Sequence, residues 1–225
     1  MTATCLWSGG KDSAYACYLA MKSGVKISCI TTFYPQDPES MLFHVPNVRW
    51  TSLQVQALGL PHILVSTPKG EELEQMRRVL EDLKERYGVK TVVSGVMASK
   101  YQRDLLRRVC EELSLDLITP LWGRDPIGIL ESVIKEGFKA IVIGVYAEGL
   151  TAKWLGRLID YDMLNDLKKL VEKWKIHACG EGGEYETFVL DTPFFKKRVE
   201  ILDYEVLWRR NWGELVIKDA KLVDK

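Results

Sequence analysis

The sequence predicts an α/β fold, an open, mostly parallel sheet with flanking helices, joined to a smaller C-terminal β-rich lobe. Three observations predict it. Short apolar runs alternate with longer amphipathic ones up to about residue 149. The short runs are rich in Val and Ile without polar interruption, as strands covered on both faces require. After Gly149 the alternation gives way to one amphipathic run, a glycine turn and a β-rich tail. These shifts divide the chain into residues 1–149 and 150–225.

Taken in order, Thr2–Trp7 reads as a strand, and the run after Lys11 as a helix stopped by Gly24. Lys26–Tyr34 and His62–Thr67 are strands, separated by a long segment that includes the loop Tyr34–Asn47. Gly70–Gly88 is an amphipathic helix with a glycine stop, and Lys90–Gly95 is the next strand. A helix follows from Tyr101, then the short strand at Leu115–Trp122. Asp125 and Pro126 open another helix, as N-cap and first-turn residue. Lys139–Leu150 reads as a last buried strand of the parallel sheet. Tyr161–Trp174 is a helix, and the remainder is β-rich with antiparallel strands at its end.

Composition removes several function classes. Of 225 residues, 47% are hydrophobic and 28% charged, and the formal net charge is zero, so the basic excess of a nucleic-acid binder is missing. No nucleic-acid partner is expected. The five cysteines form no C-x-x-C pair, which disfavours a disulfide framework or structural zinc and suits a reducing, cytoplasmic setting. No secretory leader is expected, nor any apolar run of about 18 residues that would span a membrane. The oligomeric state is open, a homo-oligomer included.

The chemistry begins at Ser8-Gly9-Gly10-Lys11-Asp12-Ser13, between the first strand and the first helix. Gly9 and Gly10 let backbone approach a ligand closely. The helix start supplies N–H donors and a positive dipole end. Ser8 and Ser13 add hydroxyls, Lys11 adds charge, and Asp12 suits a magnesium ion. The parts fit a pyrophosphate group. Neither the G-x-x-x-x-G-K-[ST] nor the G-x-G-x-x-G spacing is present. The S-G-G-x-D-S pattern resembles the PP-loop of the N-type ATP pyrophosphatases. That resemblance implies an adenine nucleotide alpha hydrolase-like fold, binding of the β,γ-pyrophosphate of ATP, and cleavage between the α and β phosphates.

Other unusual residues collect at predicted strand ends, where open α/β sheets bind ligands. The second strand leads to Thr32 and then His44, a candidate acid–base or hydrogen-bonding group. Gly95 follows the fourth strand, and Tyr101-Gln102-Arg103 starts the next helix, with Arg103 suited to an anion. Trp122 is a candidate pocket wall, and Glu148 follows the Lys139–Leu150 strand. Thr32 and Gly95 are candidate adenine contacts.

The second motif is Glu181-Gly182-Gly183-Glu184-Tyr185-Glu186-Thr187. An extended chain points Glu184 and Glu186 to one face. Three crowded carboxylates call for a cation. This stretch resembles the E-G-G-E-[FY]-E-T motif of the diphthine–ammonia ligase family, as Ser94-Gly95…Ser99-Lys100-Tyr101-Gln102-Arg103 and Pro120-Leu121-Trp122 resemble its other signatures. The resemblance spans essentially the whole chain and suggests a minimal, archaeal-type member, since eukaryotic members add C-terminal domains.

The resemblance implies an ATP- and Mg2+-dependent ligase. It would adenylylate the diphthine carboxylate of translation elongation factor two, then let ammonium displace AMP to form diphthamide. It implies catalytic roles for Lys11, Asp12, Glu184 and Glu186. Substrate contacts would come from His44, Tyr101, Gln102, Arg103, Trp122, Glu148 and the Glu181–Glu186 turn. The three glutamates, with Tyr185 or a nearby tryptophan, are expected either to meet the trimethylammonium of diphthine or to orient the ammonium. The alternatives are a PP-loop ligase acting on transfer RNA, with Cys179 as a lone candidate thiol, and a nucleotide-sensing module without turnover.

Overall fold

The structure, a computed structural model, describes residues 2–36 and 47–225. Its first sheet is built from β1 (Thr2–Leu6), β2 (Lys26–Pro35), β3 (His62–Thr67), β4 (Thr91–Val93) and β5 (Asp116–Ile118). All are parallel, in the order β3-β2-β1-β4-β5. The chain builds outward from β1 to β3, then returns to the other side of β1. The order therefore reverses between β1 and β4, and a crevice opens beyond their carboxyl ends.

Helices cover this sheet: α1 (Lys11–Lys22), α2 (Thr51–Leu58), α3 (Glu72–Tyr87), α4 (Lys100–Glu112) and α5 (Pro126–Lys135). The predicted caps form. Asp125 accepts the Gly128 N–H at 2.7 Å at the start of α5. Gly88 takes a left-handed φ of 61° to end α3. Helix α2 was not foreseen, although Leu53, Ala57 and the stop at Gly59 carry a short helical pattern.

The C-terminal sheet contains β6 (Lys139–Val145), β7 (Tyr185–Asp191), β8 (Arg198–Arg209) and β9 (Trp212–Val223), in the order β7-β6-β9-β8. Helix α6 (Tyr161–Trp174) precedes β7. Contrary to the sequence expectation, the Lys139–Leu150 strand is not part of the parallel sheet: β6 pairs antiparallel with β7 and β9. Its uninterrupted apolar run reflects burial on both faces, not parallel pairing. Ala140 and Val142 join the core shared with α1 and α5, while Ile141 and Ile143 join a second core with Phe188 and Ile217. No helix among the described residues is long and apolar enough to cross a membrane.

Candidate active site

A cleft opens beyond β1, β2 and β4. The 8–13 loop forms one wall and the segment 179–187 another. The two motifs that the sequence separates by about 170 positions thus face each other, and they are bonded together.

The loop's shape is set by its own hydroxyls. Ser13 Oγ donates to Gly10 O at 3.0 Å, and Ser8 N–H donates to Ser13 Oγ at 3.2 Å. Gly9 has φ +89°, and a Cβ there would lie 3.0 Å from Thr51 and 3.1 Å from Gln54. Gly95 carries a tight backbone approach in the site. An added Cβ would sit 2.7 Å from Asp12 C and Ser13 N. Only glycine lets the end of β4 touch the start of α1.

β7 docks along this loop. The Val189 N–H donates to Gly9 O at 2.9 Å, and the Lys11 N–H donates to Thr187 Oγ1 at 3.1 Å. The Lys11 ammonium completes the join. It donates to Cys179 O at 2.6 Å and to Asp12 Oδ2 at 2.9 Å, and lies 5.0 Å from the Tyr185 ring centre. Lys11 is only 1% exposed. Burial pulls its ammonium pKa down, but the Asp12 carboxylate and the neighbouring groups outweigh that, and it rises above the ordinary lysine value.

Asp12 is pushed above the usual carboxylate value by burial, against the pull of Lys11, with Glu181 and Glu186 adding to the rise. About a quarter of its side chain is exposed. Its Oδ1 is enclosed and makes no hydrogen bond. A hard cation fits there, because Mg2+ typically takes one or two carboxylates and completes its shell with phosphate and water. Among the described residues no group of three or more His, Cys, Asp or Glu side chains could hold a metal. Asp12 would therefore be the main protein contact.

The remaining predicted residues divide by placement. Ser8, Gly10, Ser13, Gly95, Gln102, Glu181, Tyr185 and Glu186 line the cleft with Lys11 and Asp12. Glu181 does so as a brace: its Oε1 accepts the consecutive N–H groups of Met97, Ala98 and Ser99 at 3.0, 3.0 and 3.1 Å. Gly9 lies behind the wall, bonded to Gln54 and Val189.

Glu184 is not at the cleft. Its oxygens accept the His177 N–H at 2.7 Å and the Gly182 N–H at 2.9 Å, folding the Gly182–Gly183 turn. A Cβ at Gly182 would fall 3.0 Å from Glu184 Oε1, so the turn packs closely around that carboxylate. Glu184 precedes β7, so the strand period that would pair it with Glu186 does not yet apply. Thr32 also faces away, bonded to His62 Nε2 at 3.0 Å, while its neighbours Thr31 and Phe33 line the cleft.

Tyr101 is 59% exposed and does not line the cleft. Arg103 stacks 4.2 Å from the Trp122 ring centre, so each occupies the other outside the cleft. Glu148 is exposed, because the strand before it belongs to the other sheet. His44 lies outside the described residues.

Sequence reasoning passed over Gln54, Thr187 and the Cys179 carbonyl. Gln54 accepts the Trp7 indole N–H at 2.8 Å and donates to Gly9 O and Val189 O at 3.0 and 2.7 Å. A buried amide that saturates three partners leaves no short motif. The Cys179 thiol is displaced upward by burial, more than Lys11 draws it down, and donates to Pro126 O at 3.2 Å. It is a structural thiol.

A glycine-rich loop at the switch point of a parallel sheet, faced by a carboxylate-bearing segment of the C-terminal sheet, is the arrangement of an α/β enzyme with its ligand site at the strand ends. The comparisons narrow the class. The diphthamide synthase N-terminal domain matches residues 1–117, and the diphthamide synthase C-terminal domain matches residues 125–223. The diphthine–ammonia ligase of Danio rerio is 36% identical over 216 residues, covering 87% of this chain and 84% of that protein. The Homo sapiens diphthine–ammonia ligase is 31% identical, covering 92% and 85%. The chain belongs to the diphthine–ammonia ligase family. The Schizosaccharomyces pombe relative is 31% identical but only 36% covered. A large extension beyond the matched region thus holds for that yeast protein, whereas the match covers 84% and 85% of the two vertebrate ones.

Proposed function

We propose that this chain amidates the diphthine carboxylate of translation elongation factor two in the cytoplasm, using ammonium and ATP with Mg2+, and releases AMP and pyrophosphate. The observation that carries the reading is the direct bonding of the 8–13 loop to the 179–187 segment through Lys11 and Thr187. A loop suited to pyrophosphate and a carboxylate-lined turn then serve one reacting centre. ATP supplies the adenylyl group that makes the carboxylate oxygen a good leaving group.

The protein's residues have distinct tasks in this reading. The start of α1 and the Ser8 hydroxyl hold the leaving pyrophosphate, where negative charge grows, while Ser13 keeps the loop in shape through its bond to Gly10 O. Lys11 fixes the turn against the loop and keeps positive charge beside it. Asp12 Oδ1 takes the metal. Glu186, on the cleft wall, accepts a proton from the incoming ammonium. Glu184 and Glu181 hold the turn and the Met97–Ser99 backbone in register. The part built on β1–β5 acts as a nucleotide lobe and the part from β6 onward as a substrate lobe, so the division falls before β6 rather than after residue 149.

A product assay tests it. With diphthine-bearing elongation factor, ATP, Mg2+ and ammonium, the protein yields AMP and amide in equal amounts, and Asp12→Ala abolishes both while remaining folded at reduced stability. ADP with phosphate, or full turnover by Asp12→Ala, overturns the reading.

A further inference from the structure

The C-terminal sheet ends on an open strand. In the order β7-β6-β9-β8, β8 has a neighbour on one side only. It runs for 12 residues, about twice the usual strand length. Its first residues pack down, with Val199 buried and Ile201 half-buried, but from Leu202 to Arg209 every residue is exposed. A long exposed edge is a row of unpaired backbone N–H and C=O groups, and proteins ordinarily blunt it with proline, lysine or a bulge. Leu202–Arg209 contains no proline and no lysine. The charges it does carry are placed to attract a second copy of the strand.

Beyond the irregularity at Asp203 the register of β8 is unbroken. Tyr204, Val206 and Trp208 stand opposite Ile217, Leu215 and Gly213 of β9. Directly paired residues share a face. Ile217 and Leu215 are buried in the core with Phe188, whereas Tyr204, Val206 and Trp208 are 56%, 44% and 38% exposed. The apolar face of the sheet therefore runs on past the part that its own chain covers. Gly213 lets the Trp208 ring lie against β9, since a Cβ there would fall 2.5 Å from Trp208 Cε3.

Antiparallel pairing of β8 with its own copy needs a two-fold axis through one residue, because paired residues must turn the same backbone edge outward. With the axis at Val206, Tyr204 meets the second copy's Trp208 and Asp203 meets its Arg209, an aromatic pair and an opposite-charge pair. An axis at Tyr204 or Glu205 sets carboxylates against each other. An axis at Leu207 runs the pairing into the turn at Arg210 and Asn211. The charges within the chain point to Val206 as well. Glu205 is matched by Lys218 at 2.9 Å and Glu200 by Lys221 at 3.4 Å. Asp203 has Asp219 as its register partner, and neither takes a cation among the described residues. Arg209 lies 5.5 Å from the Trp212 ring centre and meets no carboxylate among the described residues.

We propose that the chain forms a symmetric dimer through β8, paired antiparallel about Val206, so that two four-stranded sheets join into one of eight strands. The pairing fills the open backbone edge, sets Tyr204 beside Trp208 twice and gives each Asp203 an Arg209. A second copy fits this edge because the strand's unmatched acid and base lie at equal distances on either side of one residue, as a two-fold axis requires. The dimer is independent of the amidation reading, since none of these residues lines the cleft.

Sedimentation velocity of the full-length protein and its charge-reversed variants tests the dimer. The parent, 25.7 kDa per chain, should sediment at twice that mass at micromolar concentration. Asp203→Arg and Arg209→Glu should each raise the dissociation constant about 30-fold, since each sets like charges opposite one another at two symmetric positions. The double variant re-forms both pairs with the charges exchanged, and should dimerise within about threefold of the parent. Asp203→Arg also relieves Asp219 within the chain, so its Tm should not fall, which separates a lost interface from a lost fold. A monomeric parent, a dimer indifferent to both single reversals, or a double variant as weak as the single ones overturns the pairing.

Discussion

Replacing Lys11 by Met tests how firmly the two motifs are joined. The methionine keeps the apolar stem and removes the ammonium. Two hydrogen bonds go, at 2.6 Å to Cys179 O and 2.9 Å to Asp12, together with the cation beside Tyr185. The Asp12 carboxylate is left mostly enclosed, with its compensating charge gone. Removing one member of a buried pair typically costs about 3–5 kcal/mol. Asp12 keeps about a quarter of its surface in water, which favours the lower end, about 3 kcal/mol. For a chain of this size that lowers the Tm by roughly 6–12 °C.

The sign of the pH dependence follows from Asp12. Its folded-state pKa already lies above the ordinary value, and loss of Lys11 raises it further. A carboxylate raised on folding stabilises the fold only when protonated, so the Lys11→Met penalty grows as pH rises through the carboxylate range and above. Adding Asp12→Asn removes the stranded charge. The double variant should therefore be more stable at neutral pH than Lys11→Met alone. Calorimetry or denaturant unfolding at acid and neutral pH measures this. A Lys11→Met protein as stable as the parent, or strictly additive losses in the double variant, would refute the reasoning.

Three further outcomes follow from single contacts. Gly95→Ala forces a methyl group into Asp12 and Ser13 backbone, so it should cost about 3 kcal/mol and abolish nucleotide binding, read by thermal shift with and without ATP. Glu181→Ala strips three N–H groups of their acceptor and should lower stability by about 2 kcal/mol, with amide-exchange protection lost at Met97–Ser99; unchanged protection would contradict the brace. Cys179→Ser keeps the backbone carbonyl that Lys11 uses, so AMP formation should stay within about threefold of the parent, and a larger loss would restore the thiol as a candidate.

What was legible in the sequence was mostly what side chains announce. The 8–13 loop, its helix and the Glu-rich turn carry unusual residue types at informative spacings, and the structure brings them to one cleft. The contacts that join them are less visible. Cys179 contributes a carbonyl, which every residue has, and Gln54 contributes an amide whose value depends on folding. β6 was misplaced because an apolar run reports burial on both faces and not strand direction. Glu184 and Glu186 were paired by a period that begins only at Tyr185. Arg103 and Trp122 were each read as facing a ligand, and they face each other.

The most direct test of the account is pyrophosphate exchange into ATP with ammonium withheld. If the carboxylate is adenylylated at a site shared by the two motifs, labelled pyrophosphate enters ATP only when diphthine-bearing elongation factor is present. The exchange should vanish in Asp12→Ala, and adding ammonium should convert the held intermediate to amide and AMP. Exchange without the protein substrate, or amide formation accompanied by ADP and phosphate, would contradict it.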